Sequence, residues 1–80
     1  MPCDHINILQ LLSDNKAQEA HKLVQNHADE LACLIHAYIH RAEDDLSNAK
    51  YWYKKAGIDK PDISLNEEYK MLLKMAQSAK

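Results

Sequence analysis

Asp45-Leu46-Ser47-Asn48-Ala49-Lys50-Tyr51-Trp52-Tyr53-Lys54-Lys55-Ala56-Gly57 decides the fold, because this run sets one helix face and both of its ends. Asp45 can accept the free amide hydrogens of a first helical turn. Ala49, Trp52, Tyr53 and Ala56 then recur at i, i+3, i+4 and i+7, so two small and two large flat side chains share one stripe. Gly57 can take the left-handed conformation that stops a helix, with Ile58 folding back on Tyr53 in a Schellman arrangement. Small residues beside aromatic ones let a second helix approach closely.

Working outward, every segment reads as a short amphipathic helix and none as a strand. Asp4 caps a first helix reaching about residue 12, with Ile6, Leu9 and Leu12 inward, and Ser13-Asp14-Asn15 breaks it. A second helix over about 16–26 turns Ala17, Ala20 and Val24 to one side, with Leu23 at the margin. The third, about 28–43, has the cleanest period: Leu31, Leu34, Ile35, Tyr38, Ile39 and Ala42 make it the central, most buried element. After the Asp44-Asp45 turn comes the aromatic helix. Lys60-Pro61-Asp62 lies in the loop that follows, and Ser64 with Glu67 spells a capping box. A fifth helix then runs to about residue 78, with Leu65, Tyr69, Leu72, Leu73 and Ala76 on one face. Short connections imply antiparallel neighbours, so helices one and two pair, three and four pair, and five packs over the end.

Eighty residues with 46% apolar content make a single all-α domain over 1–80, near the lower size at which one core holds unaided. A deep enclosed pocket would compete with that core for side chains. The net charge of −2 disfavours a dedicated nucleic-acid binder. It conceals an asymmetry, −5 over residues 1–45 and +3 over 46–80, which reads as oppositely charged solvated faces or as a basis for homo-oligomer contacts. Cys3 and Cys33 are too few for a disulfide scaffold and are expected to be reduced. The N-terminal residues lack the form of an export signal and no stretch suits a membrane span, so a cytoplasmic location without membrane contact is expected.

Asp45, Ala49, Tyr53, Ala56 and Pro61 resemble the second half of a tetratricopeptide repeat, and Tyr51-Trp52-Tyr53-Lys54-Lys55-Ala56 is similar to the related Sel1-type repeat. Counting back by the repeat spacing, its usual Trp, Leu, Gly and Tyr land on Cys33, His36, Ala37 and His40, of which only Ala37 for Gly is an ordinary exchange. The wider pattern, from His36 and His40-Arg41 through Glu43, Asp45 and Asn48-Ala49 to Gly57, is also similar to a group of small bacterial and fungal proteins of uncharacterised function. The resemblance implies stacked helix pairs and a protein- or peptide-binding module of adaptor type. Its inward curve would be lined by Leu31, Leu34, Tyr38 and Arg41, with Arg41 holding a partner carboxylate through two parallel bonds.

The residues themselves offer one further chemistry. Cys33, His36 and His40 fall at i, i+3 and i+7 on the third helix, off its apolar stripe, a spacing at which a thiolate and two imidazoles can share a metal ion. His21, His27 or Asp45 would supply a fourth ligand through the fold. The competing reading packs His36 and His40 against the fourth helix, their ring nitrogens bonded to backbone or to Tyr hydroxyls. No metal or other cofactor is required by the sequence. Nucleophilic catalysis has little support: there is no Thr, the serines sit in turns, caps or a helix end, and one Gly builds no phosphate-cradling loop. Lys50, Lys54 and Lys55 alternate with aromatic rings, but Trp52 and Tyr53 turn inward, which leaves Tyr51 alone for base stacking. The expectation is a non-catalytic helical module that binds a protein or peptide, with self-association or a Cys33/His36/His40 metal site as alternatives.

Overall fold

Three helix stops shape the chain, and two of them use no glycine. The structure, a computed structural model, describes residues 4–78; Cys3, expected to be reduced, lies outside the described residues. Five helices follow in order: α1 (His5–Ser13), α2 (Ala17–Val24), α3 (Glu30–Ala42), α4 (Leu46–Lys55) and α5 (Leu65–Ser78). Asn15, Asp44 and Gly57 adopt φ of 62°, 64° and 87°, the left-handed region, just past the ends of α1, α3 and α4. At each stop the next residue's N–H reaches back a full turn and more: Lys16 to the Leu11 carbonyl, Asp45 to that of His40, Ile58 to that of Tyr53. Asn and Asp tolerate this conformation better than other side chains, so a chain with a single Gly still turns sharply three times.

The helix starts are equally local. The Asp4 carboxylate accepts from the Asn7 N–H at 3.1 Å, and Asp29 accepts from Ala32 at 3.2 Å. Ser64 and Glu67 close the expected capping box, with bonds of 3.1 and 3.2 Å between each side chain and the other's backbone N–H. Asp45 departs from expectation. It holds the N-cap position of α4, but its side chain makes no capping bond and accepts instead from the Asn48 amide at 2.7 Å.

α3 touches every other helix, while α4 packs on α3 and α5 lies across both α3 and α1. Ala32 through Ala37 are buried without interruption, so α3 is enclosed around most of its circumference. Ala42, counted from the sequence as part of its stripe, is exposed, because the helix ends there and the chain turns away. Ala49 and Tyr53 of α4 are buried, with the Tyr53 ring at 1% exposure, so the small-and-flat stripe nests against α3 as its spacing implies. Tyr69 of α5 donates its hydroxyl to the Leu9 carbonyl at 2.7 Å, tying the last helix to the first. The overall extents of 28 × 25 × 22 Å are nearly equal, so α5 closes the stack and does not lengthen it.

Glu68 is the residue that periodicity did not foresee in the core. It is fully buried on α5, where Oε1 accepts from Arg41 Nη1 at 2.7 Å and Oε2 accepts from the Tyr53 hydroxyl at 2.5 Å. Arg41 Nη2 donates to the Ile63 carbonyl. Burial and then the Glu68 carboxylate push the Tyr53 phenol far above its ordinary pKa, which keeps it a donor. The bond to Glu68 likewise raises the Arg41 pKa. One carboxylate thus joins α3, α4 and α5. Removing one partner strands a buried charge, so Arg41→Met should cost about 3–5 kcal/mol in urea unfolding, and the double variant Arg41→Met/Glu68→Leu should recover most of that loss. A single variant that unfolds at the wild-type urea midpoint would show that the network contributes nothing.

A candidate metal centre between helices α2, α3 and α4

Ala17, His21 and Val24 stand at i, i+4 and i+7 on α2, so the docking of Val24 and Ala20, both at 0% exposure, carries His21 inward with them. There it meets the two histidines of α3. His36 is buried at 4% exposure and stacks face to face on Trp52, with ring centroids 3.9 Å apart and planes at 14°. His40, one turn on, stacks on His36 at 5.0 Å and 17°. His21 presents its edge to both, at 4.7 and 5.2 Å. Its Nε2 lies 3.0 Å from Nε2 of His36. Each of the three rings offers one nitrogen within 4.8 Å of the other two, and no other such group of three or more potential ligands occurs among the described residues.

The electrostatics leave His36 able to donate a lone pair. Burial, then the neighbouring His21, His40 and Lys55 charges, hold the His36 pKa down at about 4, so the imidazole is neutral at neutral pH. In the metal-free protein one Nε2 of the close pair must donate and the other accept. A metal ion would take both lone pairs. Metal–nitrogen bonds of about 2.0–2.1 Å at a tetrahedral centre put neighbouring nitrogens roughly 3.3 Å apart, close to the His21–His36 spacing. Two further nitrogens, Nδ1 of His36 and Nδ1 of His40, are buried with no hydrogen-bond partner. Nδ1 of His40 lies 3.6 Å from both Glu43 Oε1 and Asp45 Oδ2, within ion-pair reach but too far for a hydrogen bond.

The residues singled out from the sequence are sorted differently by the fold. His36 and His40 are brought together, but Cys33 is not their partner. Its Sγ points to the Ala28 carbonyl at 3.6 Å, and burial raises its pKa, which keeps it a thiol and not the thiolate a metal needs. His21 takes the third place. Its inward position was readable from the Ala17/His21/Val24 spacing, although only tertiary packing brings it to α3. His27 lines a separate groove with Asp4, Asn7, Ile8 and Leu23. His36 does pack on α4, against Trp52, yet its nitrogens bond neither backbone nor Tyr hydroxyl.

The open groove expected along Leu31, Leu34, Tyr38 and Arg41 gives way to a covered face. Leu34 is buried and Leu31 and Tyr38 are partly buried; the Tyr38 ring lies 6.1 Å from Tyr69 of α5. Arg41 spends both terminal nitrogens on Glu68 and the Ile63 carbonyl, so its paired donors serve this chain's own carboxylate. No helix among the described residues is long and apolar enough to cross a membrane. No protein-family model, curated protein or solved structure matches this chain. The geometry of the site therefore carries the functional reading.

His36 also makes stability depend on pH in a defined direction. An unfolded histidine binds its proton near pH 6.5, whereas folded His36 does so only near 4. Its contribution is complete above about pH 6.5 and is lost as the pH falls towards 4, a span worth about 3 kcal/mol. With a chelator present, the urea stability of wild type relative to His36→Gln should fall by most of that amount between pH 7 and 4. A difference that stays flat would mean that His36 accepts a proton in the fold as easily as in the unfolded chain.

Proposed function

We propose that this chain is a small non-catalytic metal-binding protein, in which His21, His36 and His40 hold one transition-metal ion between α2 and α3. The observation that carries the reading is the convergence of three imidazoles within 4.8 Å, with His36 neutral and packed on Trp52 so that it cannot turn away. Imidazole donors suit zinc, copper and nickel, and a set of three leaves a fourth position for water or an external ligand. Partial exposure of His21 and His40 provides an entry path. The acidic first half of the chain, which contains all three histidines, favours approach of a cation. Bound metal would fasten α2 to the α3–α4 pair.

Calorimetric titration of the chelator-stripped protein with zinc chloride at pH 7.5 tests this. The expected result is one ion per chain, with Cys33→Ser unchanged and each of His21→Gln, His36→Gln and His40→Gln weakened at least about tenfold. Thermal stability should rise with zinc, by about 2.7 kcal/mol when free zinc reaches a hundred times the dissociation constant. If millimolar zinc moves neither the His36 nor the His40 ring signals in NMR spectra, the proposal is wrong.

A further inference from the structure

A metal on one ring nitrogen of a histidine fixes the proton on the other, and that N–H then requires an acceptor. In His40 the acceptors stand ready on one side of the ring. Nδ1 is buried and unpartnered, and Glu43 Oε1 and Asp45 Oδ2 each lie 3.6 Å from it. The opposite nitrogen, Nε2, is then the one left for the ion. From this arrangement we infer that Asp45 and Glu43 are positioning residues for the metal site, accepting a hydrogen bond from the Nδ1–H of His40 and holding Nε2 towards the ion. The inference rests on the reading of His21, His36 and His40 as ligands.

The backbone supports this assignment independently of the histidine cluster. Asp45 sits where a helix N-cap belongs, and Asp is among the best capping residues, yet its carboxylate makes no capping hydrogen bond of normal geometry and lies against the Asn48 side-chain amide and, more loosely, the Asn48 N–H. That carboxylate is held beside His40 instead, braced by the Asn48 amide at 2.7 Å. The left-handed Asp44 and the bond from the Asp45 N–H to the His40 carbonyl, 2.9 Å, place the carboxylate there through the chain itself. Glu43, the C-cap residue of α3 three positions beyond His40, lies at the same 3.6 Å from that nitrogen. A short movement of either side chain from 3.6 Å would form the hydrogen bond. The ligand is unchanged, but its tautomer and basicity are set from behind.

The double variant Asp45→Asn/Glu43→Gln keeps a good capping residue and similar shapes, so it should fold. Asp44→Asn serves as the control, since it removes a neighbouring negative charge and Asn suits the left-handed position equally well. Zinc affinity measured against a competing chelator should fall about 10- to 100-fold in the double variant, with one ion still bound per chain, and change less than about twofold in the control. Nitrogen-15 spectra of the zinc-loaded wild type should show His40 protonated at Nδ1 and metal-bound at Nε2. Equal affinity in the double variant and wild type, an equal loss in the Asp44→Asn control, or zinc on Nδ1 of His40 would each overturn the inference while leaving the three-histidine site standing. Absence of zinc binding by the wild type would remove the site and the inference together.

Discussion

The buried carboxylate of Glu68 is the constraint around which this fold closes. A charge without access to water survives only with full compensation, and here that comes from a guanidinium on α3 and a phenol on α4. Three helices must therefore stand in one register for α5 to dock. The backbones of α4 and α5 stay apart, so the Tyr53–Glu68 bond does across a gap what packing does elsewhere. The arrangement covers the α3 face carrying Leu34, Tyr38 and Arg41, burying Leu34 and half-burying the other two. It also leaves the opposite flank of α3, with His36 and His40, to α2 and α4.

That division explains what the sequence disclosed and what it withheld. Helix order, the capping box, the Gly57 stop and the inward turn of Ala49 and Tyr53 all depend on residues within about two turns of each other, and they were legible. Glu68 was not, because a Glu beside another Glu in a first helical turn reads as solvated, and its partners lie 15 and 27 positions away. The open groove failed for the same reason: whether a hydrophobic face is covered depends on a helix arriving from elsewhere in the chain. The repeat resemblance spans the residues of one helix pair, and nothing in it encodes α5.

The histidine site divides along the same line. His36 and His40 were visible as a pair because four residues make one helical turn. Cys33 looked like their third member for the same local reason, but α3 buries it, and a sulfur held at 3.6 Å from a carbonyl in a dry environment stays protonated. His21 could be read as inward-facing and as one of three candidates for a further ligand, with nothing in the sequence to choose among them. Only the docking of Ala20 and Val24 makes it a neighbour, so the third member depends on the tertiary contact that the ion would reinforce.

Two unpartnered Nδ1 atoms in one small site cost free energy, on the order of 1–3 kcal/mol for each buried polar group left unsatisfied. A purely structural cluster could be relieved of that cost by replacing the imidazoles with aliphatic side chains stacked on Trp52. Instead, His21 and His36 bring two Nε2 atoms within 3.0 Å, and the Asp45 carboxylate, which makes no capping bond of normal geometry to α4, stands 3.6 Å behind His40. Held by an ion through Nε2, as proposed, His40 would carry its proton on Nδ1, where Glu43 Oε1 and Asp45 Oδ2 stand 3.6 Å away as acceptors. Relief at His40, beside a close Nε2 pair of His21 and His36, supports the proposed metal site over a cluster that serves packing alone.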